Sequence, residues 1–133
     1  MSREWVDHTS ELELHVAAPT AAATVAEATE ALGEILGEPD AGAQVAERPL
    51  EVQARDAAGL LAAWLEELVF LAEHDGLIAH GAGGLDLGAE RLRGHVLARP
   101  GRPSNLVKAV TYHRLMLEPG EDGAWRARVV LDV

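Results

Sequence analysis

One stretch in the middle of the chain leaves the fold the least freedom. From Leu60 onward, Leu60, Leu61, Trp64, Leu65, Leu68, Phe70 and Leu71 recur at helical spacing but cover far more than a narrow seam. So broad an apolar stripe cannot be left in water, and the flat partner that buries it is a sheet. Glu66, Glu67 and Glu73 fall on the solvent side, Asp56 supplies a cap, and His74-Asp75-Gly76 ends the helix. Gly59 in the first turn weakens it only modestly.

The strands that must receive this helix are read from alternation. Leu12, Leu14 and Val16 alternate with Glu11, Glu13 and His15, the period of a strand with one buried face. If that strand runs unbroken from about Trp5, then Asp7, Thr9, Glu11 and Glu13 line its other face. Pro19 closes it, and Thr20 caps an alanine-rich helix reaching about Leu36, with Val25, Leu32, Ile35 and Leu36 turned inward. Gly37 to Gly42 reads as a loop and Leu50 to Ala54 as a strand. Glycines 81, 83 and 84 mark a turn before a strand at about Glu90 to Ala98. Arg99 to Asn105, a loop with the densest positive charge, reads either as a solvated connection or as a contact for phosphate or an acidic surface.

From Leu106 the chain alternates again, turns at Glu118 to Gly123 and returns as Ala124 to Val133, a hairpin with a longer loop. Trp125, Val129 and Leu131 take one face; Arg126, Arg128 and Asp132 take the other. Pairing Leu117 with Trp125 sets Val110 opposite Asp132 and makes Lys108 its diagonal neighbour, ammonium beside carboxylate. The same register faces Arg114 with Arg128, a like-charge pair that calls for a bulge or a neighbouring carboxylate. His113 falls on the apolar face and is expected to be packed. The elements together predict one α+β domain over residues 1–133, a mostly antiparallel sheet with two helices packed on it.

Composition narrows what such a domain does. The 133 residues suit one core and not two. With no cysteine, disulfides and thiolate metal sites are excluded. A net charge of −11 argues against gripping a phosphate backbone directly and favours a basic protein partner or simple solubility. No apolar run is long enough for a signal peptide or a membrane span, so a cytoplasmic protein is expected. There is no phosphate loop, nucleophile elbow or zinc-protease helix, and no catalytic triad can be assembled from Ser2, Ser10 and Ser104.

The segments Asp7-His8-Thr9-Ser10-Glu11, Lys108-Ala109-Val110-Thr111-Tyr112 and the final Asp132-Val133 carry a resemblance to the archeases, small proteins that assist RtcB-type RNA ligases. The central Leu-rich helix agrees in kind, so the resemblance spans the chain, although only the end motifs are specific. It departs at Glu11, where the family usually has aspartate; the extra methylene lengthens the side chain and alters ligand geometry. The resemblance implies a non-catalytic accessory protein that promotes ligase guanylylation and multiple turnover in tRNA splicing and RNA repair. It also implies a divalent metal site near the chain ends.

Glu11, Asp132, Asp7 and the Val133 carboxylate are oxygen donors, which suit calcium first and magnesium or manganese as alternatives. Several carboxylates in one place repel unless a cation or Lys108 neutralises them. Lys108, His8 and Asp132 are the expected partner-contact residues, with His8 read as a ligand or an ordinary hydrogen-bonded histidine. His15, His74, His80 and His95 have no ligand spacing and are given no function. The expected partner is an RtcB-type ligase, without direct nucleic-acid or membrane binding, and the expected state is a monomer. Two other classes stay open: a small metal-dependent phosphohydrolase, and a plain acidic protein-binding module.

Overall fold

The computed structural model describes the backbone of all 133 residues and every side chain except that of His8. The chain begins as a hairpin, β1 (Ser2–His8) and β2 (Glu11–Ala18), closed by Thr9 and Ser10, with Ser10 in the left-handed region at φ +62°. The strand expected to run unbroken from Trp5 is therefore two strands. Helix α1 (Ala21–Leu36) starts where Thr20 accepts the Ala23 N–H at 3.0 Å. A short β3 (Gly37–Pro39) follows inside the expected loop, then β4 (Ala46–Gln53), longer than the predicted Leu50 to Ala54.

Helix α2 (Ala57–Asp75) has the predicted ends. Asp56 accepts the Gly59 N–H at 2.8 Å, and Gly76, at φ +64°, donates its N–H to the Leu71 carbonyl. Strands β5 (Leu77–Leu87) and β6 (Arg91–Pro103) come next, the latter running well past Ala98. The C-terminal hairpin is β7 (Ala109–Pro119) and β8 (Trp125–Asp132).

The α+β class holds, and every strand pair is antiparallel. The strands divide into two sheets: one in the order β1-β2-β8-β7, the other β3-β6-β4 with β5 also paired to β6. Both helices pack against strands of both sheets, and the buried side chains form one continuous core. Leu14 and Val16 of β2 and Val129 and Leu131 of β8 belong to the same core as Leu61, Trp64, Leu65 and Leu68 of α2. Trp64 is fully buried, and its indole N–H donates to the Thr29 hydroxyl at 3.0 Å, which donates in turn to the Val25 carbonyl at 2.8 Å. No donor in that chain is orphaned. At Gly33 helix α1 comes so close to β5 that a β-carbon would lie 1.9 Å from the Ala79 carbonyl oxygen.

Two side chains assigned to the interior lie outside it. Phe70 is 52% exposed because it sits on the flank of α2 that overhangs the start of β7. His113 is exposed because β7 bulges there. Tyr112, His113, Arg114 and Leu115 stand across from Val129 alone, and this shifts the expected register: Pro119, not Leu117, pairs with Trp125, and Ala109, not Val110, pairs with Asp132.

Candidate functional site

The two ends of the chain meet at one end of the first sheet. Glu11 pairs with Asp132 across β2 and β8, and Asp132 pairs with Ala109 across β8 and β7, so residues about 120 apart in sequence share one row on one face. The Val133 N–H donates to the Ser10 carbonyl at 3.0 Å, which makes Ser10 and Val133 the hydrogen-bonded pair and leaves Glu11 and Asp132 as the neighbouring non-bonded pair. Side chains approach most closely in such pairs. Lys108 donates its backbone N–H to the Asp132 carbonyl at 2.7 Å, pinning the entry of β7 to the penultimate residue. Glu11 and Asp132 are half-buried; with Ala109 opposite Asp132, Lys108 falls one residue out of their row, not on their face as the expected register had it, and its exposed side chain lines a groove against α2 with no ion pair among the described residues.

The hairpin turn decides the place of Asp7. Asp7 pairs with Leu12, in the row that continues through Leu131 and Val110, so it stands on the alternate face from Glu11. An unbroken strand would have put the two on the same face. His8 lies opposite Glu11 in the backbone register, and its side chain lies outside the described residues.

One row further along the same face, Glu13 is 5% exposed on the side of the sheet away from the helices. Arg114 reaches it from the bulge of β7, its backbone at φ +54°, and forms an ion pair with Glu13 Oε1. His15 Nε2 lies 2.6 Å from Glu13 Oε2. Arg128, which the expected register set against Arg114, instead donates from Nε to the Arg114 carbonyl at 2.7 Å. The like-charge conflict is resolved by both devices the sequence calls for, a bulge and a carboxylate. The buried carboxylate itself was missed, because Glu13 reads as one more solvent-facing residue of an alternating strand.

This arrangement suits a hard cation in part. Glu11 and Asp132 are directly opposed like charges, which destabilise a sheet until something positive lies between them. Among the described residues no group of three or more His, Cys, Asp or Glu side chains could hold a metal. Glu11 and Asp132 thus put two carboxylates on one face, and Asp7 stands on the other.

Fold and site together define a class: small acidic α+β proteins whose two end segments converge on a carboxylate pair at one end of a sheet. The model of the Archease protein family matches residues 4–133. The archease of Methanopyrus kandleri is 33% identical over 141 residues, spanning 100% of both chains, and that of Pyrococcus furiosus is 32% identical over 95 residues, 63% of this chain and 65% of that one. The chain belongs to the archease family. The solution structure of Methanobacterium thermoautotrophicum protein 1598 superposes with a TM-score of 0.75 at 26% identity, covering 98% of each chain. A Thermotoga maritima crystal structure, described as an archease and possible chaperone, shares the fold with a TM-score of 0.65 at 16% identity.

Proposed function

We propose that this chain is a non-catalytic accessory protein of an RtcB-type RNA ligase, speeding guanylylation of the ligase and sustaining its multiple turnover in tRNA splicing and RNA repair. The reading rests on family membership together with one observation, the pairing of Glu11 with Asp132 next to the entry of β7 at Lys108. Two opposed carboxylates with no cation paired to them among the described residues are suited to one supplied from outside.

Glu11 and Asp132 would hold a divalent cation, calcium first and magnesium or manganese as alternatives, with the Val133 carboxylate as a further oxygen donor. When bound, the cation neutralises the pair and offers open positions to anionic oxygens. Lys108, exposed at the entry of β7, would offer its ammonium to a phosphate or carboxylate of the partner's site. Asp7 and His8 flank the turn that presents Glu11. The tip docks on the ligase and favours its guanylylation-competent state, which requires only that the tip bind that state more tightly than the other. The acidic charge of −11 suits a basic protein surface and opposes direct capture of RNA. The protein is expected to act as a monomer in the cytoplasm.

The test is the rate of guanylylation of a purified RtcB-type ligase with and without this chain. Acceleration that is lost in Glu11→Ala, Lys108→Ala and Asp132→Ala variants is the expected result. No acceleration, or acceleration indifferent to all three substitutions, removes the reading. Hydrolysis of a phosphate ester by the chain alone would point to a phosphohydrolase instead.

A further inference from the structure

A groove runs between α2 and the start of β7, beside the tip but apart from its carboxylates. Glu66, Val69, Phe70 and Glu73 form one wall and Lys108, Ala109 and Val110 the other, around about 290 Å³. That lies just below the ~300–1,000 Å³ of sites that enclose a small molecule, so a single side chain fits the space better than a nucleotide does. Phe70 is 52% exposed, whereas the opposite side of its helix is buried. Its ring stacks on His74, with centroids 4.7 Å apart and planes 13° apart, and this holds the ring in place as part of the wall.

Val69 and Val110 supply apolar surface, Phe70 an aromatic ring, and Glu66 and Glu73 exposed carboxylates. That combination complements a long side chain with an apolar stem and a planar cationic head, which describes arginine. The ammonium of Lys108 disfavours a second cation beside it, so the guanidinium head belongs with Glu66 and Glu73. Ala109 lines the groove and also sits directly opposite Asp132, so the groove is continuous with the tip. We propose that this groove receives an arginine side chain from a basic segment of the partner ligase, anchoring the complex while the tip acts. The assignment rests on the ligase-accessory reading above.

Titration of the ligase with the wild-type chain, Phe70→Ala and the double variant Glu66→Lys/Glu73→Lys, followed by guanylylation rate, separates anchoring from activation. All three positions are exposed, so the fold is expected to survive, and circular dichroism checks this. Each variant should raise the half-saturating concentration by about tenfold or more, as loss of a binding hot spot does, while the rate at saturation stays within about twofold of wild type. Asp132→Ala should do the reverse, losing rate at saturation. Wild-type half-saturation in both groove variants overturns the groove assignment and leaves the accessory reading intact. A wild-type chain that accelerates no ligase removes both. If Phe70→Ala alters self-association in sedimentation and not ligase binding, the occupant is a second copy of the chain and the assignment falls.

Discussion

Glu13 is buried on the sheet face away from the helices, opposite the fully buried Val130, and Arg114 and His15 meet its carboxylate there. Removing one partner of an enclosed ion pair leaves a charge without its compensation, at about 3–5 kcal/mol when both ends are sealed. Arg114 is half-exposed and His15 remains, so Arg114→Ala should cost less, about 1–2 kcal/mol, read from the denaturant midpoint. An unchanged midpoint would mean that Glu13 is held by its other contacts. His80 is a second residue with a definite consequence. It occupies a bulge of β5, and its Nε2 is shielded from solvent with no hydrogen-bond partner among the described residues. Burial, and then the nearby Arg99 guanidinium, lower its pKa from 6.5, against a smaller opposing pull from Glu30. Below pH 6.5 the unfolded chain therefore takes up a proton that the folded chain declines, and stability falls as pH drops towards the lowered folded value. His80→Gln should flatten that part of the melting-temperature profile, and an identical slope in wild type and variant would contradict the cause given.

At the scale of elements, the contact of α1 with β5 has the least tolerance. Gly33→Ala drives a methyl into the Ala79 carbonyl, and backbone cannot yield as a flexible side chain does, so the cost should reach the upper end of the ~1–3 kcal/mol typical of overpacking. Thermal unfolding measures it, and a loss below about 0.5 kcal/mol would show that the helix can lift off the strand freely. Both helices were legible in the sequence because their ends are local chemistry: Thr20 and Asp56 cap, Gly76 terminates. The first hairpin was hidden for the opposite reason. Its turn is Thr9-Ser10, without glycine, proline or asparagine, and Ser10 takes a left-handed backbone without a residue type that advertises it. That one turn reverses the face of Asp7 relative to Glu11. The bulge of β7 was half-legible, since the clash of Arg114 with Arg128 called for it but could not fix its size or expel His113. The meeting of Glu11 with Asp132 depends on β2 lying beside β8, a long-range pairing that no local pattern encodes; the motif resemblance indicated it.

For the whole molecule, charge and topology act together. A chain of net charge −11 docking on a basic surface should associate more slowly as salt rises, because screening shortens the reach of the attraction. Stopped-flow association with the ligase at low and high salt tests this, and a salt-independent rate would place the encounter on apolar contacts alone. No helix among the described residues is long and apolar enough to cross a membrane. We propose that Glu11 and Asp132, like charges facing each other across β2 and β8, await a cation. Thermal unfolding of wild type and Asp132→Asn, each with chelator and then with millimolar calcium, magnesium or manganese, tests that claim directly. With chelator the variant should be at least as stable as wild type, since the repulsion is relieved; a cation should stabilise wild type, by about 2.7 kcal/mol at a hundredfold excess over its Kd, and leave the variant unchanged. A wild-type chain indifferent to all three cations, with an Asp132→Asn variant less stable than wild type in chelator, would contradict it.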